Sequence, residues 1–479
     1  MSKDNLPSRS ENFSEWYNQL VQKAELADYA PVRGCMVVRP YGWTLWENMQ
    51  SGLDRRFKET GHVNAAFPML IPMSFFEKEQ EHVEGFSPEL AIVTHGGGEK
   101  LEEPLAVRPT SETIIGHMYA KWIQSYRDLP VLINQWGSVL RWEMRTKLFL
   151  RTSEFYWQEG HTAHATADEA LEETYRMLDV YADFAINDAA IPVIKGIKSE
   201  TEKFAGAKMS ASIEAMMGDK RALQSGTSHF FGDNFARAFN IQYLDQNNTL
   251  QYCHTTSWGL STRMIGAVIM VHGDDKGLVL PPKIAPTQVV LIPIYRQNNE
   301  KSQVMPVIQK ITTELKAAGI RLKLDDRDEF TPGFKFNDWE MRGVPLRIEV
   351  GPRDIANGTV AFARRDITGR DGKSFVPQEN LALRVKEILD TIQVNMLTKA
   401  TAFRDENIHN VENYADLQDV VKEGWAFARW CGNPHCEAQI KADTKASSRC
   451  IPLDQPGGTG PCVVCGQDSD QKAYFAKAY

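Results

Sequence analysis

Residues 139–164, VLRWEMRTKLFLRTSEFYWQEGHTAH, constrain the fold more than any other stretch of the chain. We interpret this stretch as two antiparallel strands joined by a charged loop. Alternate side chains of a strand share one face, which would place Arg141 beside Glu143 on the first strand. The second strand would present Phe155, Trp157, Glu159 and His161 together. Such a face suits a binding site better than a core, although a hairpin with a solvated polar face would show the same pattern.

Length and charge set the broad class. A chain of 479 residues suggests about three domains, and we place them at 1–283, 284–393 and 394–479. The polar N-terminus does not resemble a secretion signal, and no apolar run approaches the length of a membrane span. We therefore expect a cytoplasmic protein with no membrane partner. The net charge of −8 gives no global attraction for nucleic acid, so any RNA contact must use local basic patches.

Two segments before residue 139 carry further signals. In GHVNAAFPMLIP, Pro68 cannot donate to a strand ladder, which places this piece at a sheet edge or at an interface. RPTSETIIGHMYAKWI predicts a helix that Thr110 or Ser111 can cap, with Glu112 at its positive end. Capping alone would explain these three residues, but a carboxylate there also suits a cationic substrate.

Two segments after the hairpin are equally polar. LQSGTSHFFGDNFARAF predicts a polar cluster of Gln224, Thr227, Ser228 and His229 that leads into a helix. A capped turn before the helix would explain Thr227 and Ser228 but fits Gln224 and His229 less well. In TTSWGLSTRMIGAV, a strand passes into a helix near Ser261, with Arg263 in the first turn. An arginine at the positive end of a helix is favourable when an anion shares the space.

The cysteines cluster near the C-terminus in the pattern C-x4-C, a long excursion and C-x2-C. Four thiolates on two such turns can form a tetrahedron suited to Zn²⁺, and clustering of this kind favours a metal site over disulfides. The candidate ligands are Cys431, Cys436, Cys462 and Cys465. His435 is an alternative ligand at one position. Reduced cysteines packed as small apolar side chains would also fit.

These segments together resemble a known family. The Pro68 segment, the Arg141–Phe155 region and the Arg263 segment resemble, in order, motifs 1, 2 and 3 of the class II aminoacyl-tRNA synthetases. Residues 284–393 alternate strands and helices, predict a mostly parallel sheet, and resemble the class IIa anticodon-binding domain. From about residue 10 onward the chain resembles the prolyl-tRNA synthetases of the archaeal/eukaryotic-like type. The short stretch between motifs 2 and 3 implies that no editing domain is inserted there.

The resemblance implies an α/β (α+β) protein with an antiparallel-sheet catalytic domain, an α/β anticodon-binding domain and a small zinc-binding α+β domain. It implies a homodimer that joins L-proline to tRNA(Pro) through prolyl-adenylate, using ATP and Mg²⁺, with a structural Zn²⁺. It also implies that the terminal Tyr479 folds back toward the catalytic domain. A pocket that recognises proline by shape rejects smaller amino acids weakly, so alanine or cysteine should be mis-activated.

Residue roles are implied in the same way. Arg141 and Arg263 are the expected catalytic residues. Those expected to bind proline are Thr110, Glu112, Arg141, Trp157, Glu159, His161, Phe204 and His229. Those expected to bind ATP are Arg141, Glu143, Arg151, Thr152, Phe155, Gln224, Thr227, Ser261 and Arg263. Those expected to read anticodon bases, by stacking or hydrogen bonding, are Lys335, Phe336, Glu340, Arg342 and Arg347.

Three alternatives stay open on the sequence. The chain could be another class IIa synthetase, for threonine, glycine or histidine. It could be a non-catalytic synthetase-like protein that binds tRNA or regulates another enzyme. The cysteine-rich tail could itself be a nucleic-acid-binding ribbon, with the rest as scaffold.

Overall fold

The computed structural model describes residues 6–76 and 90–479. The elements of the first part are α1 (Phe13–Lys23), β1 (Ala27–Tyr29), β2 (Met36–Val38), α2 (Pro40–Glu59), β3 (Val63–Asn64), β4 (Leu70–Pro72), β5 (Ile92–Gly96), β6 (Glu99–Val107), α3 (Glu112–Trp122), β7 (Val131–Leu140), β8 (Glu154–His164), α4 (Ala167–Asn187), β9 (Val193–Ile197), β10 (Met209–Met216), β11 (Ala222–Gly232), α5 (Asn234–Phe239), β12 (Gln242–Leu244), β13 (Leu250–Tyr252), β14 (His254–Ser261) and α6 (Arg263–His272).

An antiparallel sheet in the order β9-β10-β11-β14-β8-β7 forms the centre of this part, with β3 added in parallel at its edge. Helices α1, α2, α4 and α6 contribute to the largest apolar core, which includes Trp16, Trp46 and Trp258. Helix α2 begins at Pro40, because proline is favourable in the first turn of a helix. Helix α4 begins with a capping box of Thr166 and Glu169. The antiparallel catalytic sheet expected from the sequence is confirmed.

One local expectation was wrong. Strand β7 ends at Leu140, so Arg141 and Glu143 belong to the loop between β7 and β8. The Arg141 N–H still donates to Ser153 O (2.8 Å), but its side chain turns toward Pro109 and leaves the alternation of the strand. The alternative of a capped turn in the segment LQSGTSHFFGDNFARAF does not form, because Gln224, Thr227, Ser228 and His229 lie within β11 and pair with β10.

The second part contains β15 (Val289–Pro293), α7 (Asn298–Ala317), β16 (Leu322–Leu324), α8 (Pro332–Met341), β17 (Leu346–Val350), α9 (Pro352–Ala356), β18 (Thr359–Arg364), β19 (Lys373–Pro377) and α10 (Leu381–Glu406). Its sheet has the order β16-β15-β17-β18-β19. The first three strands are parallel, whereas β18 and β19 are antiparallel, so the sheet is mixed rather than mostly parallel. The connections at 351–358 and 365–372 are shorter than the roughly dozen residues that a parallel crossover needs.

The tail contains β20 (Ile408–Val411), α11 (Tyr414–Val420), β21 (Trp425–Arg429), α12 (Pro434–Thr444), β22 (Ser447–Pro452), β23 (Gly460–Pro461), β24 (Asp468–Ser469) and β25 (Lys472–Ala476). Strands β20-β21-β25-β22 continue the catalytic sheet, because β22 pairs with β9 to give eleven strands in all.

The chain ends against the catalytic domain. The Tyr479 N–H donates to Ala222 O (3.1 Å), and its hydroxyl donates to Asp219 (2.6 Å). Lys147 and Arg221 lie over the Tyr479 ring, at 5.4 and 5.5 Å from its centroid. The expected return of the C-terminus thus has specific partners. Among the described residues, no helix is long and apolar enough to cross a membrane.

Candidate active site

A cavity of about 200 Å³ opens on the catalytic sheet, where β8, β11 and β14 lie side by side. All eight residues expected to bind proline line it, together with Gln224 and Thr227 of the expected ATP set. These residues come from the start of α3, from the loop after β7, from β8, from the segment after β9 and from β11. The sheet therefore gathers side chains that are far apart in the sequence.

Two buried carboxylates form one wall. Glu112 accepts hydrogen bonds from the Thr110 and Ser257 hydroxyls. Glu159 accepts from the Ser111 hydroxyl and from Gln135 Nε2 (2.8 Å). Ser111 occupies the position before α3 without a side-chain cap, so capping does not explain this group. These hydroxyl groups therefore hold the two carboxylates in an orientation that faces the cavity.

Glu159 and His161 form a buried pair, with Glu159 Oε2 and His161 Nε2 3.0 Å apart. Burial raises the pKa of Glu159, but hydrogen bonding and charge from His161 outweigh it and leave that pKa below its usual value. Burial lowers the pKa of His161, but bonding to Glu159 outweighs it and leaves that pKa raised. The pair therefore favours a carboxylate and an imidazolium.

Arg141 lies where the cavity meets the aromatic residues of β8. Its Nε donates to Pro109 O (2.9 Å), and its guanidinium carbon is 5.4 Å from the centroid of Phe155 and 5.5 Å from that of Trp157. The side chain is open to solvent through the cavity, yet the surrounding protein desolvates the guanidinium and lowers its pKa, against the opposing charges of Glu112 and Glu159. The Arg141 guanidinium can thus contact one ligand in the cavity and another beside the aromatic residues of β8.

Arg263 is the first residue of α6, as expected. Its Nε donates to Leu150 O (3.1 Å) and its Nη1 to Gln224 O (3.3 Å). Burial, followed by the like charges of Arg151 and Arg141, lowers its pKa to about 10. Three guanidinium groups thus repel one another near a helix N-terminus, an arrangement that an anion would relieve.

The remaining expected ATP residues surround these arginines outside the cavity lining. Arg151 is exposed, and its Nη1 lies 3.3 Å from Glu143 Oε2. The Ser261 hydroxyl accepts from the Arg263 N–H (3.2 Å), and the buried Thr152 hydroxyl donates to Glu154 O (2.6 Å). The Thr152 hydroxyl therefore already has a hydrogen-bond partner within the protein, whereas the side chains of Arg151 and Glu143 are accessible to a ligand.

His229 and Phe204 form another wall. Their ring centroids are 4.8 Å apart, and His229 Nδ1 lies 2.8 Å from the Ser210 hydroxyl. Burial, followed by the charges of Lys198, Arg141 and His161, lowers the pKa of His229 to about 3. His229 is therefore neutral near pH 7.

Sequence reasoning missed several lining residues: Lys198, Glu202, Ser210, Ser257, Trp258 and Gly259. Ser257 and Gly259 alternate along β14 and could have been found from the period of a strand. Lys198 and Glu202 lie on an irregular segment, where no periodic signal exists.

The expected anticodon residues separate into two groups. Phe336, Glu340 and Arg347 line a cavity of about 260 Å³, where the Arg347 guanidinium carbon is 4.0 Å from the Phe336 ring centroid. Lys335 is buried, and its Nζ donates to Asp325 O (3.2 Å). Arg342 pairs with Glu25 of the catalytic domain (2.6 Å). The structure does not bring these last two side chains into the cavity.

The four expected cysteines come together in the tail. Their sulfurs lie within 4.8 Å of one another, with Cys431 at 3.8 Å from Cys436 and 3.7 Å from Cys465. Zn–S bonds of about 2.3 Å in a tetrahedron imply sulfurs about 3.8 Å apart, so this cluster fits Zn²⁺. His435 is exposed and outside the cluster, and Cys450 is buried elsewhere.

Comparison with known proteins agrees with this arrangement. The family model of the class II tRNA synthetase core domain (G, H, P, S and T) matches residues 95–272, that of the anticodon-binding domain matches 288–393, and that of the prolyl-tRNA synthetase C-terminal domain matches 414–479. The proline–tRNA ligase of Roseiflexus castenholzii is 58% identical, with 100% of both chains covered. The chloroplastic/mitochondrial proline–tRNA ligase of Arabidopsis thaliana is 54% identical, with 98% of this chain and 88% of the relative covered.

A solved structure gives the same result. The crystal structure of prolyl-tRNA synthetase from Cryptosporidium parvum, complexed with halofuginone and AMPPNP, is 40% identical and superposes with a TM-score of 0.94, covering 100% of this chain and 98% of that one. The domain order, the polar cavity on an antiparallel sheet and these full-length similarities show that the chain belongs to the prolyl-tRNA synthetase family of class II aminoacyl-tRNA synthetases.

Proposed function

We infer that this protein joins L-proline to tRNA(Pro) in two ATP-dependent steps. In the first, a carboxylate oxygen of proline attacks the α-phosphorus of ATP, and pyrophosphate leaves with the electrons of the broken P–O bond. In the second, a hydroxyl of the terminal ribose of the tRNA attacks the carbonyl carbon of prolyl-adenylate, and AMP leaves. The observation that carries this inference is one cavity holding Glu112, Glu159 and His229 beside Arg141.

The cavity is suited to an amino acid with a small ring and a cationic nitrogen. Trp157 and Phe204 offer apolar faces to the ring. Glu112 supplies negative charge to the secondary ammonium, assisted by the Thr110 hydroxyl. His229 is neutral, so it adds no repulsion to that ammonium. Glu159 and His161 close the wall as a fixed pair.

Arg141 and Arg263 would supply the rate enhancement. Arg141 would bridge the proline carboxylate and the α-phosphate, while Arg263 and Arg151 hold the triphosphate. Catalysis then rests on positioning and charge neutralisation, since neither step requires a covalent nucleophile from the protein.

The other ATP contacts follow from what surrounds the arginines. Phe155 would stack on the adenine, and Glu143 would accept from its amino group. Gln224, Thr227 and Ser261 would contact the ribose and phosphates. Thr152 would act through the backbone of the loop, because its hydroxyl is already bonded to Glu154 O.

Two metal ions belong to the proposal. Zn²⁺ would be held by the four clustered cysteines and would fix the two turns of the tail. Mg²⁺ would reach the site on the phosphates of ATP, with water completing its coordination, and would neutralise phosphate charge.

The proposal extends to the other domains. Residues 1–283 would catalyse, 284–393 would bind the anticodon through Phe336, Glu340 and Arg347, and 394–479 would bind zinc, with α10 continuing across the last boundary. Between β8 and β14 the chain forms helix α4, three strands of the central sheet and the short elements α5, β12 and β13, which leaves no room for an inserted domain and supports the type without an editing insertion. Apolar side chains are exposed at Val63 of the edge strand β3 and, further along the chain, at Met69 and Leu70, which supports a homodimer formed through residues 63–70.

The test is pyrophosphate exchange with each of the twenty amino acids, followed by aminoacylation of tRNA(Pro). We expect exchange to be fastest with proline. Exchange that favours threonine, glycine or histidine would contradict the proline assignment, and no exchange with any amino acid would favour a non-catalytic relative.

Weak exchange with alanine or cysteine is a separate expectation. The missing methylenes of these amino acids are worth only about 1–3 kcal/mol in a pocket that selects by shape. Undetectable exchange with both amino acids at saturating concentration would contradict this expectation.

A further inference from the structure

The segment 198–204 supplies Lys198, Glu202 and Phe204 to the active-site cavity, although it has no regular secondary structure. It follows β9 and precedes the ordered strand β10. An irregular segment lacks ladder hydrogen bonds of its own, so its position depends on bonds from elsewhere. Ser210 of β10 accepts from the Lys198 N–H (2.8 Å) and from the Phe204 N–H (3.0 Å), and the other partners described here come from the C-terminal tail.

The first partner is Glu437, in the first turn of α12 and directly after the expected zinc ligand Cys436. Its side chain is buried, with the residue only 4% exposed. It accepts hydrogen bonds from the Ser199 hydroxyl (2.9 Å) and from the Thr201 hydroxyl. The Ser448 hydroxyl of β22 donates to the same carboxylate. One carboxylate thus joins the zinc-binding turn to the segment.

The second partner is Arg449 of β22. Its Nη2 lies 2.9 Å from Glu214 Oε2, and Lys198 Nζ lies 2.7 Å from Glu214 Oε1. Lys198 Nζ also donates to Arg449 O (3.0 Å). All three side chains are buried. The start of the segment is therefore held by an ion triad that includes the tail.

We propose that Glu437 is a positioning residue for the amino-acid pocket. Its carboxylate holds Ser199 and Thr201, and thereby keeps Glu202 and Phe204 against the bound amino acid without contacting it. The four-cysteine cluster fixes the turn that presents Glu437, so Glu437 links the zinc-binding turn to the amino-acid pocket, beside the separate contacts of Arg449. This inference rests on the proposed function, because the pocket is taken to bind proline.

The test compares Glu437→Ala with Glu437→Gln and with Gln439→Ala, an exposed position on the same helix. A charge-assisted hydrogen bond is worth about tenfold or more in binding. We expect Glu437→Ala to raise KM for proline by about tenfold in pyrophosphate exchange, while KM for ATP and zinc content stay at wild-type values and Tm falls only moderately, because three buried hydroxyl groups lose their acceptor. Glu437→Gln should give a KM for proline between those of the wild type and Glu437→Ala, and Gln439→Ala should match the wild type.

Two further measurements keep the test independent of activity and of tail folding. The Kd of proline alone, followed by tryptophan fluorescence, should rise in parallel with KM. The double variant Ser199→Ala/Thr201→Val removes the same bonds from the segment's side, leaves the tail intact and should give the same rise.

An unchanged KM for proline in both Glu437→Ala and the double variant would overturn the inference. So would an equal rise in KM for ATP, which would indicate general loss of structure. A wild-type protein with no proline-dependent exchange would instead contradict the proposed function.

Discussion

At the scale of single residues, the site depends on the few charged groups that remain exposed to solvent. Arg141 is held by one backbone carbonyl and by the faces of two aromatic rings, so its outer nitrogens stay available to a ligand. A guanidinium has planar, paired donors that match two anionic oxygens at once, whereas an ammonium offers a point charge. The geometry at this position therefore matters as well as the charge.

Replacing Arg141 by lysine tests this distinction. We expect Arg141→Lys to lower kcat/KM for proline-dependent exchange by roughly 100-fold or more, as in the removal of one preorganised donor. Arg145→Lys, at an exposed position of the same loop, is the matched control and should stay within about twofold of the wild type. Full activity of Arg141→Lys would show that charge alone is sufficient.

The Glu159–His161 pair predicts a specific pH dependence. Folding raises the pKa of His161, so the contribution of His161 to folding stability is complete at low pH and is lost as the pH rises through the raised pKa. Folding lowers the pKa of Glu159, so the contribution of Glu159 is lost only in acid. In Glu159→Gln, burial should dominate and bring the His161 pKa below about 6.5. Histidine NMR titration measures this change.

The same variant has a second readout. Glu159→Gln should reduce the free energy of unfolding more at pH 5.5 than at pH 8.5, because the charged pair exists mainly at the lower pH. Equal losses at the two pH values, in urea denaturation, would contradict the pair as an ionic contact.

At the scale of elements, the pairing of β8 with β14 shapes the pocket. Gly160 lies opposite Trp258, and a Cβ at Gly160 would come within 2.0 Å of the indole ring. Gly259 similarly leaves space for Trp157, whose ring would be 3.3 Å from an added Cβ. Glycine at these two positions leaves room for a bulky side chain of the neighbouring strand on each face of the sheet: Trp258 in the core, against Phe57 and Tyr181, and Trp157 at the cavity.

Gly160→Ala should therefore cost about 1–3 kcal/mol of unfolding free energy, as overpacking usually does, because the Trp258 ring is packed in the core against Phe57 and Tyr181. Gly333→Ala is a suitable control, since nothing lies within 4 Å of a Cβ added there. Denaturation curves that superpose for Gly160→Ala and the wild type would show that Trp258 can move without cost.

The elements also show what the sequence could predict. Helix α2 and the β7–β8 hairpin carry strong periodic patterns, so their existence was predictable. The end of β7 was not, because Arg141 leaves the strand through a tertiary bond to Pro109 O. Lys335 was assigned to the anticodon by residue type alone, and only packing shows that it is bonded to Asp325 O inside the domain. Local patterns locate elements, whereas tertiary contacts decide which side chains remain available.

At the scale of the whole molecule, the tail is part of the catalytic sheet. Strand β22 pairs with β9, Tyr479 returns to Asp219, and Trp425 donates through its indole nitrogen to Lys220 O (3.0 Å). These contacts involve strands on both sides of the zinc-binding turns. Loss of order at the four-cysteine cluster should therefore spread beyond the tail.

Removal of zinc provides the final test. Wild-type protein should contain one zinc per chain, and chelation or Cys465→Ser should lower Tm, because binding of a structural metal contributes directly to folding. Hydrogen exchange should increase first in α12 and in the turn at 431–436, then in β22 and β9. Cys450→Ala, which removes a buried thiol outside the cluster, should keep its zinc. Zinc-free protein with an unchanged Tm and unchanged exchange in α12 would mean that thiol packing alone holds the two turns together.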